Sequence, residues 1–373
     1  MRRALLALTV IALASVTISL TAQAPALRAA EPFKVGTFLF DGRPSVGIVL
    51  RDSIVVDLVA ANRDLQLRPE YVPLPVPADM LGVIGQYEYG LQRRIYEIVN
   101  ALVAENRVSG AARPSYVYDA GKVKTLAPIL YPSKILNAAG NYYGHVSEAS
   151  PPEEQKRVAE QRRKERGTAY LFLKPTRGAI VETGHDIVLP RGRDKIDWEC
   201  ELATVIGRPA KYVTAANAKD YIFGYTIELD MSDRGGRPGE KEPRSDWFVG
   251  KGHDTFAPMG PYIVPKEFFP NPMNVRQTLT INGKMMQDSR SSDMIHNIHE
   301  LIEYGSSIMT LFPGDVVAGG SPAGTGMSRS VRPEQIFLKP GDKIVATIEG
   351  IGTMTHTAVA ERAASPATSS QQQ

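Results

Sequence analysis

Two glutamates one residue apart stand in Asp197-Trp198-Glu199-Cys200-Glu201-Leu202-Ala203, followed by Val205-Ile206-Gly207. Side chains alternate along a strand, so Glu199 and Glu201 point one way and Trp198, Cys200 and Leu202 the other, with the carboxylates about 7 Å apart. Like charges this close repel unless a cation lies between them. A hard divalent ion held by oxygen ligands, such as Mg²⁺ or Ca²⁺, meets that need. The plainer reading is a pair of solvent-facing glutamates on an edge strand. A second apolar run, Phe223-Gly224-Tyr225-Thr226-Ile227-Glu228-Leu229, ends in Asp230, with Arg234 four residues on, and offers a third carboxylate. Lys251, in Lys251-Gly252-His253-Asp254, is a candidate for a fixed positive charge at the same place.

Upstream, Gly140-Asn141-Tyr142-Tyr143-Gly144-His145-Val146-Ser147-Glu148 sets a histidine and a glutamate three residues apart, which one helical turn brings together. A carboxylate against an imidazole fixes its tautomer and raises its basicity, as a base acting on water requires. Three other features carry less. His296 and His299 have a helical metal-ligand spacing but no catalytic context, and read as a polar helix face. Gly319 to Gly326 is glycine-rich but lacks the lysine of a phosphate-binding loop, which leaves a tight loop beside the metal. Cys200 is turned away from the acids by strand alternation and is a poor nucleophile candidate.

These groups must be held by a scaffold with two parts. From Phe33 to about Leu126 the pattern gives short strands at Phe33–Phe40, Val46–Leu50 and Ile54–Leu58, then a helix near Tyr87–Ala104 whose Leu91, Ile95, Ile98, Val99 and Leu102 form a core stripe. Beyond Pro128 the chain turns mostly to β: Ala179–Val181, Glu199–Ile206, Tyr262–Val264, Leu279–Ile281 and Lys343–Ile348 read as strands. Asn282-Gly283, Pro313-Gly314-Asp315 and Pro340-Gly341-Asp342 read as turns. Ser150-Pro151-Pro152-Glu153 has a capping-box spacing and should start a charged helix running toward Arg166. That helix is a solvated one or, alternatively, a lid. The expected divisions are 1–30, 31–127 for a small α+β domain, 128–361 for the metal-binding β domain, and a disordered tail at 362–373.

The 43 basic and 40 acidic side chains form no basic stripe with interleaved aromatics, so a nucleic-acid partner is not expected. Arg2 and Arg3 precede an uncharged run from Ala4 to Ala22 and then small residues, the layout of an export signal. An uncleaved anchor is the alternative, since the run approaches the ~20 residues that span a bilayer. Export to the periplasm or medium, with no membrane attachment after cleavage, is the expectation. The single cysteine excludes an intrachain disulfide and is compatible with an oxidising compartment.

Taken together, the blocks Lys134–Glu148, Tyr170–Pro175, Asp197–Gly207, Gly224–Arg234, Lys251–Pro261, Asn282-Gly283 with Gln287, Pro313–Gly326 and Leu338–Thr357 resemble, in order and spacing, the fumarylacetoacetate hydrolase family. The resemblance implies a rolled, mixed β-sandwich, mostly β with some α, beside a small variable N-terminal domain. It implies Mg²⁺, or less often Mn²⁺ or Ca²⁺, on Glu199, Glu201 and Asp230. It implies that His145 and Glu148 activate water, and that Lys251 and Arg234 meet an anionic substrate or oxyanion. Tyr142, Arg237, Gln287 and Ser321 are the other substrate-binding candidates, and a homodimer is expected.

Leu229, Gly235 and Arg237 stand where the family often has Asn, Asp and Gln, and Arg237 would favour a second carboxylate on the substrate. The expected activity is metal-dependent hydrolysis of a carbon–carbon bond in a small diketo acid. Decarboxylation or isomerisation of 2-oxo diacids is one alternative, and non-catalytic capture of carboxylates is another.

Overall fold

The computed structural model describes residues 27–148, 150–239, 246–269, 271–327 and 336–362. Apart from residues 27–30 and Arg362, the expected export signal and tail lie outside the described residues. No helix among the described residues is long and apolar enough to cross a membrane.

The N-terminal part begins with β1 (Phe33–Phe40) and β2 (Arg43–Leu50), joined at Asp41-Gly42, where both residues take positive φ. This is the turn that Asp-Gly favours between antiparallel strands. Next comes β3 (Ile54–Asp57), and Asp57 ends it by accepting the Val59 and Ala60 amides, which starts α1 (Leu58–Leu65). Then follow α2 (Met80–Gln86), α3 (Leu91–Ala104), β4 (Val117–Asp119) and β5 (Lys124–Leu126). The stripe expected on α3 is buried as read. The pattern had given neither α1 nor α2, which span two turns or so and show little periodicity.

The second part contains β6 (Ile135–Ala138), α4 (Tyr143–Glu148), α5 (Pro152–Lys164), β7 (Leu171–Lys174), β8 (Ile187–Leu189), β9 (Ile196–Asp197), β10 (Cys200–Ile206), β11 (Ile222–Leu229) and β12 (Ser232–Asp233). It continues with α6 (Trp247–Lys251), β13 (Met259–Pro265), β14 (Arg276–Ile281), β15 (Lys284–Arg290), α7 (Ile298–Ile308), β16 (Val316–Ala318), β17 (Lys343–Ile348) and β18 (Gly352–Ala360).

Two expectations are corrected here. Ala179–Val181 is an extended segment outside any strand, although its Ala179 and Val181 carbonyls accept the Ala257 and Met259 amides. Helix α5 starts at Pro152 as its first residue, but Pro151 is the N-cap and no side chain caps it, so the Ser150 capping box does not form. All of α5 is at least partly exposed, as for a solvated helix. Its end is tied down by Arg163 over the Tyr143 ring and Arg166 on Glu300.

Besides the two-stranded pair β12-β9 there are two main sheets, and both are open. The larger has the order β4-β3-β2-β1-β13-β11-β10-β16-β6-β7, with β5 added on β1; the smaller is β15-β14-β17-β18-β8. Strand alternation divides the large sheet between two cores. Leu202, Ile206, Tyr225, Ile227 and Leu136 pack toward the small sheet (Leu279, Ile344, Ala346) and α7 (Leu301, Ile302). Ala203, Val205 and Ile135 face the other way, joined by Phe223 at the register shift between Ile222 and Gly224, into a core shared with Leu58, Ile84, Ile95 and Leu102 of the N-terminal helices. The fold is the mixed, mostly β arrangement expected.

His356 on β18 is buried in the sandwich with Nδ1 against the His185 carbonyl, and burial holds its pKa down to about 4, from an ordinary 6.5. The unfolded chain therefore binds this proton near pH 6.5 and the folded chain only near pH 4. Stability is full above the first value and falls as pH drops toward the second, by on the order of 3 kcal/mol. Urea unfolding at pH 7 and pH 4.5 should show that loss in the wild type and a clearly smaller one in His356→Gln.

Candidate metal centre

Strands β10 and β11 pair with Cys200 opposite Leu229 and Glu201 opposite Glu228, and the Asp230 amide donates to the Glu199 carbonyl just beyond the paired strands. Four carboxylates thus occupy one patch on one sheet face: Glu199 beside Asp230, and Glu201 beside Glu228. Strand β10 is central rather than an edge, and all four acids are buried, so the solvent-facing alternative for Glu199 and Glu201 is excluded. Ligand oxygens of Glu199, Glu201 and Asp230 lie within 4.8 Å of one another, the one such cluster of three or more acidic, histidine or cysteine groups among the described residues.

Three cations are set against these acids. Lys251 closes α6, whose start is fixed by Asp246 accepting the Phe248 and Val249 amides. Its ammonium donates to Glu199 Oε2 at 2.8 Å, to Ser232 Oγ at 2.7 Å and to Asp230. Lys174, fully buried at the end of β7, donates to the other Asp230 oxygen and to the Met231 carbonyl. Arg234 bridges Asp197 (3.1 Å) and Glu199 (2.6 Å).

Burial pushes the Glu199 carboxyl up, but Lys251 and Arg234 outweigh it and hold the group well below the carboxylate range. Glu201 goes the other way: burial, and then the charges of Asp230, Glu228 and Glu199, push it well above that range. Burial takes Glu228 up to about 8 against the pull of Lys174, with Asn137 Nδ2 donating to it at 2.8 Å.

A divalent cation fits this donor set. Five carboxyl groups (Asp197, Glu199, Glu201, Glu228, Asp230) face three cations (Lys174, Arg234, Lys251), a deficit of two positive charges when all are ionised. All three converging ligands are oxygens, the choice of Mg²⁺, Mn²⁺ and Ca²⁺. Opposite ligands sit about 4.2 Å apart across Mg²⁺ and about 4.8 Å apart across Ca²⁺, so the observed span suits ions of this size.

Beside the acids, α4 brings His145 Nδ1 to 2.7 Å from Glu148 Oε1. The same carboxylate accepts the Gly324 amide at 2.7 Å and the Thr325 hydroxyl at 3.0 Å. An ionised carboxylate only accepts, so Nδ1 carries the imidazole proton and Nε2 is left as the basic nitrogen. That Nε2 lies 3.9 Å from Glu199 Oε1, on the side of the acid cluster.

The loop Gly319–Gly326 runs beside the site as expected, with the Gly320 amide on Glu201 Oε2 at 2.8 Å. Gly324 has φ +101°, and a Cβ there would stand 1.9 Å from the Met286 carbonyl oxygen. Gly324→Ala must displace the loop that holds Glu148. Its kcat should fall at least about tenfold while Mn²⁺ affinity, measured by calorimetry, stays within about threefold.

The other four substrate-binding candidates all have protein partners. Tyr142 is enclosed in the core toward the small sheet, its hydroxyl accepting from Gln277. Gln287 spends both amide hydrogens on Ser321 Oγ and the Pro322 carbonyl and accepts the Cys200 amide, so Gln287 and Ser321 brace the loop. Arg237 pairs with Asp246 at 3.2 Å, at the start of α6, with its side chain half exposed.

Lys174, Glu228, Asn137 and Asp197 belong to the site and were not singled out. The available signal was a charge inside an apolar strand, Lys174 after Leu171-Phe172-Leu173 and Glu228 between Ile227 and Leu229. Cys200 faces the core, where burial raises its thiol pKa and keeps it neutral. His296 and His299 join no metal-ligand cluster among the described residues.

The profile of the Fumarylacetoacetate (FAA) hydrolase C-terminal family matches residues 134–359, the span carrying the sandwich and every acid described above. The chain belongs to that family. It is 43% identical over 232 residues (62% of this chain, 92% of the relative) to an uncharacterized protein of Pyrococcus abyssi. It is 34% identical over 238 residues (64% of this chain, 70% of the relative) to a mitochondrial oxaloacetate tautomerase of Bos taurus. Among solved structures it is similar to maleylpyruvate hydrolase from Sphingobium sp. SYK-6 in complex with manganese(II) and pyruvate. That likeness has TM-score 0.63 and 26% identity, and covers 88% of this chain and all of the other. Both named proteins are enzymes named for small oxo acids, and the solved one holds manganese(II).

Proposed function

We propose that this chain is a metal-dependent hydrolase that cleaves a carbon–carbon bond in a small 2,4-dioxo acid, with Mg²⁺ or Mn²⁺ on Glu199, Glu201 and Asp230. The observation that carries the reading is the imidazole Nε2, free of Glu148 and 3.9 Å from a metal ligand. When bound, the divalent ion supplies Lewis-acid polarisation of the substrate carbonyl and offsets developing negative charge.

Glu148 orients the imidazole, and Nε2 takes a proton from water. The water oxygen bonds to the distal carbonyl carbon, and the bond from that carbon to the methylene breaks. Its electron pair leaves on the enolate of a 2-oxo acid, which is then protonated, and the acyl half departs as a carboxylic acid. Lys251 and Arg234, both anchored on Glu199, hold the substrate carboxylate and the oxyanion.

A second reading is supported by the tautomerase relative: the same site would move a proton on a 2-oxo diacid without adding water. A binding-only protein would have no use for the oriented imidazole. Product analysis of acylpyruvates and oxaloacetate, with Mn²⁺ or with EDTA, separates the readings. Two carbonyl fragments support hydrolysis, an unchanged mass supports proton transfer, released CO₂ would instead mark decarboxylation, and rates indifferent to EDTA sink the metal from all of them. The proposal also includes export and a homodimer, checked by N-terminal sequencing of the mature protein and by sedimentation.

A further inference from the structure

Three aromatic rings lead outward from the metal centre. Phe172 lies two residues before Lys174 on β7, so both side chains share the sheet face on which Lys174 reaches Asp230. The Phe172 ring centre is 5.1 Å from Lys251 Nζ. Trp247, at the start of α6, stacks on Phe172 with centroids 4.6 Å apart, and Tyr170 meets Trp247 edge-on at 5.5 Å. Exposure rises with distance from the acids: Phe172 is partly buried, Trp247 is 39% exposed and Tyr170 is 51% exposed. Part-exposed tryptophan and tyrosine rings that run on from the acid cluster have the chemistry of a surface that takes an apolar group.

Charge placement points the same way. Arg237, the residue that would have met a second substrate carboxylate, is paired with Asp246. Lys251 is the one cation seated over these rings among the described residues, and under the proposed function it serves the 2-oxo acid head at the metal rather than the far end. A carboxylate at the far end of the substrate would lie along aromatic faces, whose negative quadrupole disfavours it.

We propose that the Phe172–Trp247–Tyr170 wall receives the acyl group, so that the preferred substrates are 2,4-dioxo acids with an aryl or bulky apolar acyl end rather than diacids. This rests on the site reading given under Proposed function. The 2-oxo acid head sits at the metal, flanked by Lys251 and Arg234, and the acyl end lies over Phe172 and Trp247.

The test compares kcat/KM for acetylpyruvate, benzoylpyruvate and succinylpyruvate in the Mn²⁺-loaded wild type, Tyr170→Ala and Trp247→Leu. Benzoylpyruvate should exceed both others by at least about tenfold, the scale on which a hydrophobic pocket discriminates. That ratio should fall at least about fivefold in each variant, with acetylpyruvate serving as the internal measure of folding and loading. A preference for succinylpyruvate, or a benzoyl-to-acetyl ratio unchanged in both variants, overturns the proposal. So does a variant that changes oligomeric state with the ratio intact, which would make the wall a contact with a second copy of the chain.

Should no dioxo acid be cleaved, calorimetric binding of phenylpyruvate against pyruvate isolates the wall from the reaction. Phenylpyruvate tighter by about tenfold in the wild type, but not in the variants, supports the wall while the hydrolase reading fails. Equal binding of the two overturns the wall as well.

Discussion

Asp230→Asn removes the charge that two lysines share, and turnover should fall at least about 1,000-fold, with Mn²⁺ affinity lost in calorimetry. Lys174 takes one oxygen of Asp230 and Lys251 the other, and the carboxylate is at the same time one of the three converging acids proposed to hold the metal. The amide cannot answer either ammonium with a charge. Breaking a buried pair on one side costs about 3–5 kcal/mol, because the partner charge stays buried. Thermal unfolding of the metal-free variant should therefore drop well below that of the metal-free wild type. Retention of wild-type metal affinity would remove Asp230 from the ligand set.

His145→Ala should separate the base from the metal. The imidazole touches Glu148 directly and approaches Glu199 only at 3.9 Å, so its removal leaves the three carboxylates and their lysines in place. We expect kcat to fall by about 10²–10⁴, the range for a positioned general base, with Mn²⁺ affinity and KM nearly unchanged. Glu148→Gln should give a smaller loss, since the amide still meets Nδ1 but no longer compels its tautomer. A His145→Ala enzyme that keeps wild-type kcat would assign water activation to another group.

The convergence of the three acids was legible because strand geometry is nearly deterministic over two residues. Glu199 and Glu201 had to share a face, and Asp230 closed an apolar run that could only be a buried strand. What alternation does not reveal is the partner strand's register. Only that register sets Glu228 opposite Glu201 and gathers four acids where the sequence suggested three. Lys174 showed only as a charge inside an apolar strand; that it meets Asp230 depends on β7 pairing with β6 and β6 with β16, which no local pattern gives.

Gln287, Ser321 and Tyr142 show a different limit. Residue type says that an amide, a hydroxyl or a phenol can bond a ligand, but not whether a neighbouring loop has already taken its hydrogens. Gln287 spends its hydrogens on Ser321 and Pro322, while the Tyr142 hydroxyl, enclosed in the core, accepts from Gln277 of β14. Short helices such as α1 and α2 escaped because two turns carry too little periodicity to register.

The N-terminal helices do more than sit beside the sandwich. Ile95 and Leu102 cover the sheet face on which Ala203 and Val205 continue the strand that carries Glu201. A shortened protein beginning near residue 128 would present that face bare to water and invite self-association. Grafting a different leading segment onto this catalytic half would succeed only where the newcomer brings an equally greasy, equally shaped surface to lay against it.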